Sequence, residues 1–187
     1  RNHACILTWL YGSDYPPTAE VEKMYLEVFK ENNWPNPHQS SAALKPTEVT
    51  GYSGIRMEGP YFFTEPSYWL LDTLRGGAFG FNAEIGPGAS IPKMESILEM
   101  FPADHLWPVD DYWHYHARGG NPAKMLDIDN AALNARFGKA KNLEDYVKKS
   151  HMQAYEGKRA MFEAYARNKY ISTGVIQWMM NNAWPGV

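Results

Sequence analysis

Three apolar runs along the chain predict strands. Residues 4–11 (ACILTWLY), 76–83 (GGAFGFNA) and 174–180 (GVIQWMM) are short, and a turn-forming or polar segment follows each of them. Runs of this kind are typical of strands that are buried in a sheet. A further short strand is predicted over residues 40–44. Strands are therefore predicted near both ends of the chain and in its middle.

A helical pattern begins directly after Pro16 and Pro17. Thr18 is a favourable N-cap, and Glu20 suits the first turn of a helix. The apolar positions that follow repeat at helical spacing and define one stripe that we predict to be buried. This stripe comprises Val21, Met24, Tyr25, Val28 and Phe29.

Three more helices are predicted in the second half of the chain. One opens at Pro92, a short one spans residues 131–137, and a long one runs from Asn142 to about Arg167. Asp145 follows Asn142 by three residues, which resembles a capping box. The predicted buried face of the long helix comprises Leu143, Tyr146, Val147, Ala154, Met161, Phe162 and Tyr165.

The alternation of strands and helices favours an α/β domain with a parallel sheet. In such domains the functional residues lie where strands end. Residues 45–75 interrupt the alternation with a segment that is rich in Gly, Pro and aromatic residues. Long loops of this kind are either functional or disordered, and the aromatic content indicates an ordered one.

Composition narrows the class of protein. The 187 residues suit one domain, and 44% apolar residues suffice for a core. A net charge of −3 gives no reason to expect a nucleic acid or an anionic membrane as partner. No apolar run is long enough to cross a membrane. Cys5 lies in an apolar run, so we expect a buried free thiol.

The ends of the sequence suggest a fragment. The chain starts at Arg1-Asn2-His3 without an initiator Met or a signal peptide, and it stops at Val187 just after a predicted strand. Aromatic residues make up 14% of the chain. Flat rings of this kind either stack on sugars or pack in the core, and composition alone favours packing.

Two acidic residues stand at the ends of predicted strands. Asp14 follows the run ACILTWLYGS, and Glu84 follows GGAFGFNA. Two carboxylates that face one pocket can hydrolyse a glycosidic bond, since one protonates the leaving oxygen and the other attacks the anomeric carbon. The alternative is that each acid only caps a turn or helix. That alternative is stronger for Asp14 than for Glu84, because Glu is not a favoured cap.

Other candidate motifs are weaker. His114 and His116 (WHYH) have the spacing of two metal ligands on one face of a strand, but no third ligand accompanies them, so hydrogen-bonded structural histidines are favoured. The glycines at 76, 77 and 80 lack the Lys and Ser/Thr of a phosphate loop. Asp104, Asp110 and Asp111 are interpreted as a solvated acidic face. We expect no metal and no cofactor.

Four segments carry a resemblance to a known family. They are RNH-ACILTWLYGSDYPP, SGIRMEGPYFF-x-x-PSYW, GGAFGFNAEIGPG-x-x-IP-x-MES and STGVIQWMMNNAWPG, in this order. Together they resemble the family 2 glycoside hydrolases, in particular the glucosaminidase branch. The resemblance implies that residues 1–187 form the C-terminal part of a (β/α)8 barrel, from its fourth to its eighth strand. It also implies a parent enzyme that is periplasmic or secreted.

The family's catalytic positions fall on the two strand-end acids. By this resemblance Asp14 is the acid/base and Glu84 is the nucleophile. Most members have Asn-Glu where this chain has Ser13-Asp14, and that departure is itself a trait of the glucosaminidase branch. Because Asp is one methylene shorter than Glu, the leaving group has to bind closer to the strand.

Aromatic residues complete the expected sugar site. The last segment resembles the W-x-x-N-x-x-W-P pattern shared with β-mannosidases, and it places Trp178, Asn181 and Trp184 after the eighth strand. Trp178 would form the floor of the sugar subsite, and Asn181 would contact a hydroxyl group. The rings of Tyr61, Tyr68 and Trp69 either wall the pocket or pack in the core.

The predicted function is retaining hydrolysis of terminal β-linked glucosamine on chitosan-type oligosaccharides. A β-mannoside is the rival substrate. A non-catalytic carbohydrate-binding piece and a metal-dependent hydrolase that uses the WHYH segment are rivals from other classes. Five strands of eight leave open sheet edges, so we expect either the missing N-terminal segments of the parent enzyme or a second copy as partner.

Overall fold

The structure is a computed structural model that describes residues 3–71, 77–117, 125–179 and 184–187. Six α-helices occur in these ranges, with a short 3₁₀ helix at Ala103–His105. The α-helices are α1 (Ala19–Glu31), α2 (Tyr68–Leu71), α3 (Met94–Met100), α4 (Asp111–His116), α5 (Met125–Phe137) and α6 (Leu143–Arg167).

The strands are short, apart from two of six residues each. They are β1 (Trp9–Leu10), β2 (His38–Gln39), β3 (Pro46–Thr47), β4 (Gly51–Tyr52), β5 (Ile55–Arg56), β6 (Gly80–Ile85) and β7 (Ser172–Gln177).

Parallel pairing dominates the sheets. β1 pairs with β2, and β6 lies between β5 and β7 in a three-stranded parallel sheet. β3 and β4 form a small antiparallel hairpin. Parallel strands that are connected through helices confirm the α/β class predicted from the sequence. The carboxyl ends of β6 and β7 consequently meet at one edge.

Two predicted helix starts are confirmed by their caps. The Thr18 hydroxyl accepts a hydrogen bond from the Val21 amide at 3.5 Å, and the Asn142 side chain accepts one from the Asp145 amide at 2.9 Å. The Asp145 carboxylate returns a contact to the Lys141 amide at 3.0 Å, one residue before the position that a capping box would use. Local side-chain chemistry thus determines where α1 and α6 begin.

The core has two parts, which α6 connects. Near its start, Tyr146 packs edge-on against Trp113 of α4, and Trp113 stacks on Phe101 with 4.6 Å between ring centroids. Farther along, Met161 and Tyr165 pack on Ile85 of β6. The predicted buried face of α6 is largely confirmed: Tyr146, Val147, Met161 and Tyr165 are buried, Leu143 and Ala154 are partly buried, and Phe162 is exposed.

The N-terminal region differs from the prediction. The strand predicted over residues 4–11 shrinks to the two residues of β1, Leu7 is 74% exposed, and the Cys5 thiol is exposed rather than buried. The apolar stripe of α1 also faces solvent, with Met24 60% exposed. Periodicity shows that a helix face is apolar, but not that another element covers it, and here only the Tyr25 and Phe29 end of the stripe has partners, in the rings of Tyr11 and His38.

α1 instead buries an acid. Glu22 is fully buried, and its Oε1 accepts hydrogen bonds from the hydroxyls of Tyr11 at 3.1 Å and of Thr47 at 3.0 Å, as well as from Thr50. Buried charges persist only where such partners replace water. The packed side of α1 therefore carries Glu22, Leu26 and Phe29, and of these only Phe29 belongs to the stripe that the sequence predicted to be buried.

Several smaller predictions also need correction. The second strand lies at His38–Gln39, and residues 40–43 are buried but irregular. The short helix predicted over residues 131–137 is the second half of α5. Residues 45–71 are ordered into the β3–β4 hairpin, β5 and α2, whereas the rest of that loop and Gly76 fall outside the described residues.

The WHYH segment lies on a helix, not on a strand. Asp110 caps α4 by accepting a hydrogen bond from the Tyr112 amide at 3.0 Å, so it is no part of a purely solvated acidic face. Its carboxylate also contacts His105 Nδ1 at 2.7 Å. The hydrogen bond with His105 is the main reason why the pKa of the Asp110 carboxyl group is lowered, and the hydrogen bond from the Tyr112 amide adds to this effect.

Candidate active site

Glu84 lies on β6, one residue before the strand ends at Ile85. The backbone around it is held from two sides. The Trp178 amide donates to the Ile85 carbonyl at 2.8 Å, and the Glu84 amide donates to the side-chain oxygen of Asn82 at 3.1 Å. Asn82 is itself buried and donates to the Glu58 carbonyl at 2.6 Å. The side chain of Glu84 therefore starts from a fixed strand end.

The Tyr61 hydroxyl is the closest described polar partner of the Glu84 side chain. It lies 3.1 Å from Glu84 Oε1, and the carbonyls of Met57 and Glu84 lie at 3.2 and 3.3 Å. Burial raises the pKa of Tyr61 above its usual range, and the negative charge of Glu84 adds to the rise. Tyr61 therefore stays protonated and serves as a donor to the carboxylate.

The charge of Asp14 also reaches this tyrosine. It raises the pKa of Tyr61 further, although less than Glu84 does. Asp14 and Glu84 are separated by 70 positions in the sequence. The fold nevertheless brings Asp14 close enough to the Tyr61–Glu84 pair for its charge to act on the pKa of Tyr61.

Asp14 is exposed on the loop that follows β1. The Ser13 hydroxyl donates to Asp14 Oδ1 at 2.9 Å, and Lys45 Nζ donates to the Asp14 carbonyl at 3.2 Å. A Cβ atom at Gly12 would stand 2.6 Å from the Ser40 carbonyl oxygen, so only glycine permits this close approach. Since Thr18 is the residue that caps α1, the helix-cap alternative for Asp14 is wrong.

The aromatic candidates separate into two groups. Trp178 follows β7 at the same edge as Glu84, and its side chain is 53% exposed, so its ring is accessible to a ligand. Trp69, in contrast, is 2% exposed and packs beside Tyr165 in the core, which makes its ring unavailable to a sugar. The packing alternative for Trp69 is the correct one. Tyr68 is half-buried and edge-on to Trp69.

The three candidate residues of the last segment do not share one location in the structure. Asn181 lies outside the described residues. Trp184 stacks on His116 with 6.1 Å between ring centroids and meets Tyr115 edge-on, so the structure places it against α4. His116 Nδ1 also lies 2.6 Å from the Pro185 carbonyl. Trp178 is thus the one residue of this motif that is described at the edge carrying Glu84.

The histidines of α4 have structural partners. His114 lies 3.5 Å from Asp127, and His116 contacts the chain end as described above. Within the ranges that the structure covers, no group of three or more His, Cys, Asp or Glu residues is arranged to hold a metal ion. Hydrogen-bonded structural roles, the interpretation favoured from the sequence, agree with these contacts. None of the helices in the same ranges is long and apolar enough to cross a membrane.

Sequence reasoning missed a buried polar network beneath the site. Arg56 of β5 is almost fully buried and donates to the carbonyls of Phe79 and Glu58 at 3.1 Å each. It also donates to the Tyr165 hydroxyl at 2.9 Å and to the Gly77 carbonyl. Asn82 lies opposite Arg56 in the parallel pairing. The feature of the sequence that could have predicted this network is the lone Arg in the segment SGIRMEG.

Two concave regions lie away from the carboxylates. An enclosed cavity of about 10 Å³ between α5 and α6 is too small for a sugar and is lined in part by Asp129, Ser150 and Gln153. An open groove of about 410 Å³ runs along the end of α6 and the start of β7, which is the opposite end of β7 from Trp178. The candidate site is therefore the open strand edge itself.

Similar proteins were found among proteins of known function. No protein-family model matches the chain. An exo-β-D-glucosaminidase of Streptomyces avermitilis is 40% identical over 98% of this chain and 21% of that protein. The exo-β-D-glucosaminidase of Amycolatopsis orientalis is 35% identical over 98% of this chain and 19% of its own length. A mannosylglycoprotein endo-β-mannosidase of Lilium longiflorum is 23% identical over the whole chain.

Solved structures of similar proteins also superpose on this chain. The exo-chitosanase CsxA of Amycolatopsis orientalis superposes with a TM-score of 0.85 at 34% identity, covering 97% of this chain and 22% of that one. The chain is thus homologous to one segment of the family 2 glycoside hydrolases, which confirms the resemblance seen in the sequence. The two bacterial relatives described above are exo-β-D-glucosaminidases. The chain spans about a fifth of the length of the curated relatives it matches.

Proposed function

We propose that the chain is the part of a retaining exo-β-D-glucosaminidase that carries both catalytic carboxylates. In this proposal residues 1–187 correspond to strands four to eight of a (β/α)8 barrel, with β1, β2, β5, β6 and β7 as those strands. The observation that carries the proposal is the position of Glu84 at the carboxyl end of β6, with its Oε1 3.1 Å from the Tyr61 hydroxyl, whose pKa the charge of Asp14 also raises. Two carboxyl groups that flank one bond are the requirement for this chemistry.

The first step forms a covalent intermediate. Glu84 attacks the anomeric carbon, and the bond to the glycosidic oxygen breaks. The electron pair of that bond goes to the oxygen, which takes the proton of the Asp14 carboxyl group. The Tyr61 hydroxyl orients Glu84 for attack, and the Ser13 hydroxyl, 2.9 Å from Asp14 Oδ1, orients the acid. The exposed ring of Trp178 forms the floor of the sugar subsite.

The second step releases the sugar. The ionised Asp14 takes a proton from water as the water oxygen attacks the anomeric carbon, and Glu84 leaves as a carboxylate. Each step inverts the anomeric centre, so the configuration is retained. Asn181, carried over from the family motif, is proposed to contribute to sugar binding.

Complexes of a relative support the substrate class. CsxA was solved with PNP-β-D-glucosamine in two variants, one with an aspartate and one with a glutamate replaced by alanine. These two residues occur in that order, with nearly the same spacing as Asp14 and Glu84. We therefore propose terminal β-linked glucosamine on chitosan-type oligosaccharides as the substrate.

A β-mannoside remains the second candidate because the Lilium longiflorum relative is an endo-β-mannosidase. The two substrates are compared directly by assaying p-nitrophenyl β-D-glucosaminide and p-nitrophenyl β-D-mannoside with the full-length protein that carries this sequence. Preferential hydrolysis of the glucosaminide supports the proposal. Preferential hydrolysis of the mannoside would replace the proposed substrate while leaving the two-carboxylate mechanism in place.

The roles of the two acids are separated by leaving-group chemistry. Glu84→Gln should abolish turnover of every substrate. Asp14→Asn should lose about 10²- to 10⁴-fold on chitosan oligosaccharides, whose leaving group needs a proton. With p-nitrophenyl β-D-glucosaminide, whose leaving group needs none, the same variant should give a burst of nitrophenol followed by slow turnover. Full activity of Glu84→Gln in the full-length protein would refute the mechanism and favour a non-catalytic carbohydrate-binding role for residues 1–187, with the catalytic groups elsewhere in the protein.

Two controls accompany this experiment. Glu48→Gln changes an exposed carboxylate on the loop between β3 and β4 and should leave turnover unchanged. Treatment with a chelator should also leave turnover unchanged, and loss of activity would favour a metal-dependent hydrolase instead.

A further inference from the structure

The four residues after β6 contact three different parts of the fold. A Cβ atom at Gly86 would lie 2.1 Å from the Trp178 carbonyl oxygen, so this residue packs directly on the chain that leaves β7. The Pro87 carbonyl lies against Gly157 of α6, at 3.8 Å from the position that a Cβ atom would take there. The segment 86–89, which we call the post-nucleophile loop, is therefore clamped close to Glu84.

Asp129 of α5 holds the far end of this loop. Its Oδ2 accepts a hydrogen bond from the Ala89 amide at 3.2 Å. Its Oδ1 would lie 2.5 Å from a Cβ atom at Gly88, which has a φ of +84°. Only glycine combines this backbone conformation with such a close approach. One carboxylate thus touches two consecutive residues of the loop.

The position of Asp129 is itself fixed. Its side chain is 7% exposed, and its backbone carbonyl accepts a hydrogen bond from the Gln153 side chain of α6 at 2.9 Å. Lys158 of α6 is largely buried as well, and its positive charge favours the ionised form of Asp129. A buried carboxylate is costly unless its hydrogen bonds and neighbouring charges compensate, and here a loop amide supplies the hydrogen bond.

We propose that Asp129 is a positioning residue for Glu84, acting through the post-nucleophile loop. The carboxylate pins Gly88 and Ala89 to α5, and this fixes the end of β6 from which Glu84 projects. The role is distinct from core packing because it requires an acceptor at this point rather than bulk. It rests on the proposed role of Glu84 as nucleophile.

The test compares Asp129→Ala with Asp129→Asn in the full-length protein that carries this sequence. Asp129→Ala removes the acceptor and should lower kcat on p-nitrophenyl β-D-glucosaminide on the order of 10-fold or more, with little change in KM. Asp129→Asn keeps an acceptor for the Ala89 amide and should restore most of kcat. Asp127→Ala, on the exposed side of the same helix, is the matched control and should behave like the wild type.

Hydrogen–deuterium exchange gives a readout that does not depend on activity. A peptide covering residues 86–92 should exchange faster in Asp129→Ala than in the wild type, while exchange in β6 and α6 stays unchanged. Gly88→Ala pushes the loop off an intact Asp129 and should reproduce the loss of kcat, so the proposal stays testable if Asp129→Ala does not fold.

The outcomes are distinguishable. Unchanged exchange of residues 86–92 in Asp129→Ala would overturn the anchoring contact. Faster exchange with an unchanged kcat would leave an anchored loop without a positioning role and would overturn the proposal. If the wild type hydrolyses no glycoside, the proposed function fails, whereas the exchange experiment still decides whether Asp129 holds the loop.

Discussion

The hydroxyl of Tyr61 lies 3.1 Å from Oε1 of Glu84, and the negative charge of Asp14 acts on the same hydroxyl. Tyr61 belongs to the irregular segment between β5 and α2, Asp14 to the loop after β1, and Glu84 to β6. Glu84 lies in the three-stranded sheet, whereas Asp14 follows a strand of the separate β1–β2 pair. In this arrangement a neutral donor stands beside Glu84, and it can orient that carboxylate without neutralising it.

Replacement of Tyr61 by Phe should impair catalysis while preserving the fold. The ring remains in place, but Glu84 loses the hydrogen bond that fixes its orientation, so kcat should fall on the order of 10- to 100-fold. The measurement is steady-state kinetics with p-nitrophenyl β-D-glucosaminide on the full-length protein. Tyr52→Phe, at an exposed position on β4, is the matched control. Equal kcat values for Tyr61→Phe and the wild type would remove Tyr61 from the site.

Gly86 should tolerate no side chain. A Cβ atom there would stand 2.1 Å from the Trp178 carbonyl oxygen, which is backbone and cannot rotate away. Gly86→Ala should therefore separate the ends of β6 and β7, destabilise the protein by about 1–3 kcal/mol and reduce turnover as well. Urea unfolding combined with the glucosaminide assay measures both effects.

Gly157→Ala is the control for this substitution. Gly157 lies inside α6, and a Cβ atom there would meet Pro87 and Phe63 only at ordinary contact distances of 3.8–4.0 Å. Since Ala is the better helix former, Gly157→Ala should leave stability unchanged or raise it by up to about 1 kcal/mol. A destabilised Gly157→Ala together with a neutral Gly86→Ala would contradict the described path of the loop.

Local signals in the sequence were sufficient for the starts of α1 and α6 and for locating the strand that carries Glu84. Thr18 and Asn142 cap α1 and α6 through their own side chains, which is chemistry that reads directly from the sequence. β6 was located because a short apolar run ends in Gly-Pro-Gly. The strand end then placed Glu84, although Glu84 lies within the strand rather than just after it.

Burial was harder to predict than secondary structure because it depends on partners that are distant in the sequence. The stripe of α1 is apolar, yet most of it is exposed. Glu22 on the same helix is buried and accepts hydrogen bonds from three hydroxyl groups. Likewise, nothing in the spacing of Trp69 distinguishes a core residue from a sugar platform. The side chain of Arg56 donates its hydrogen bonds to backbone carbonyls in loops, and such contacts produce no periodic pattern in the sequence.

The buried Glu22 should be essential to the stability of the N-terminal region. Glu22→Ala leaves the hydroxyls of Tyr11, Thr47 and Thr50 without their common acceptor, so the free energy of unfolding should fall by about 2–4 kcal/mol. Glu27→Ala, at an exposed position on α1, should change it by about 0.5 kcal/mol or less. Thermal unfolding of both variants, followed by circular dichroism, makes the comparison. Equal losses in the two variants would show that Glu22 is not buried.

Asp129 should make the stability of the protein fall as the pH rises from about 4 to about 6. Burial raises the pKa of Asp129 to about 6 from the ordinary value of 3.8, so the folded protein holds this proton more tightly than the unfolded chain does. The stabilisation is complete below the unfolded pKa and is lost as the pH rises through the folded pKa. At 1.36 kcal/mol per pKa unit, the fall amounts to about 3 kcal/mol. Thermal unfolding midpoints measured between pH 4 and pH 7 would reveal it.

Two variants assign this pH dependence to its source. Asp129→Asn removes the titrating group, and its unfolding midpoint should therefore lack the fall between pH 4 and pH 6 that the wild type shows. Lys158→Met removes the charge that lowers the pKa of Asp129, so the fall should extend to higher pH. If Asp129→Asn keeps the wild-type slope, another group is responsible for the pH dependence, and Asp129 is less buried than the structure shows.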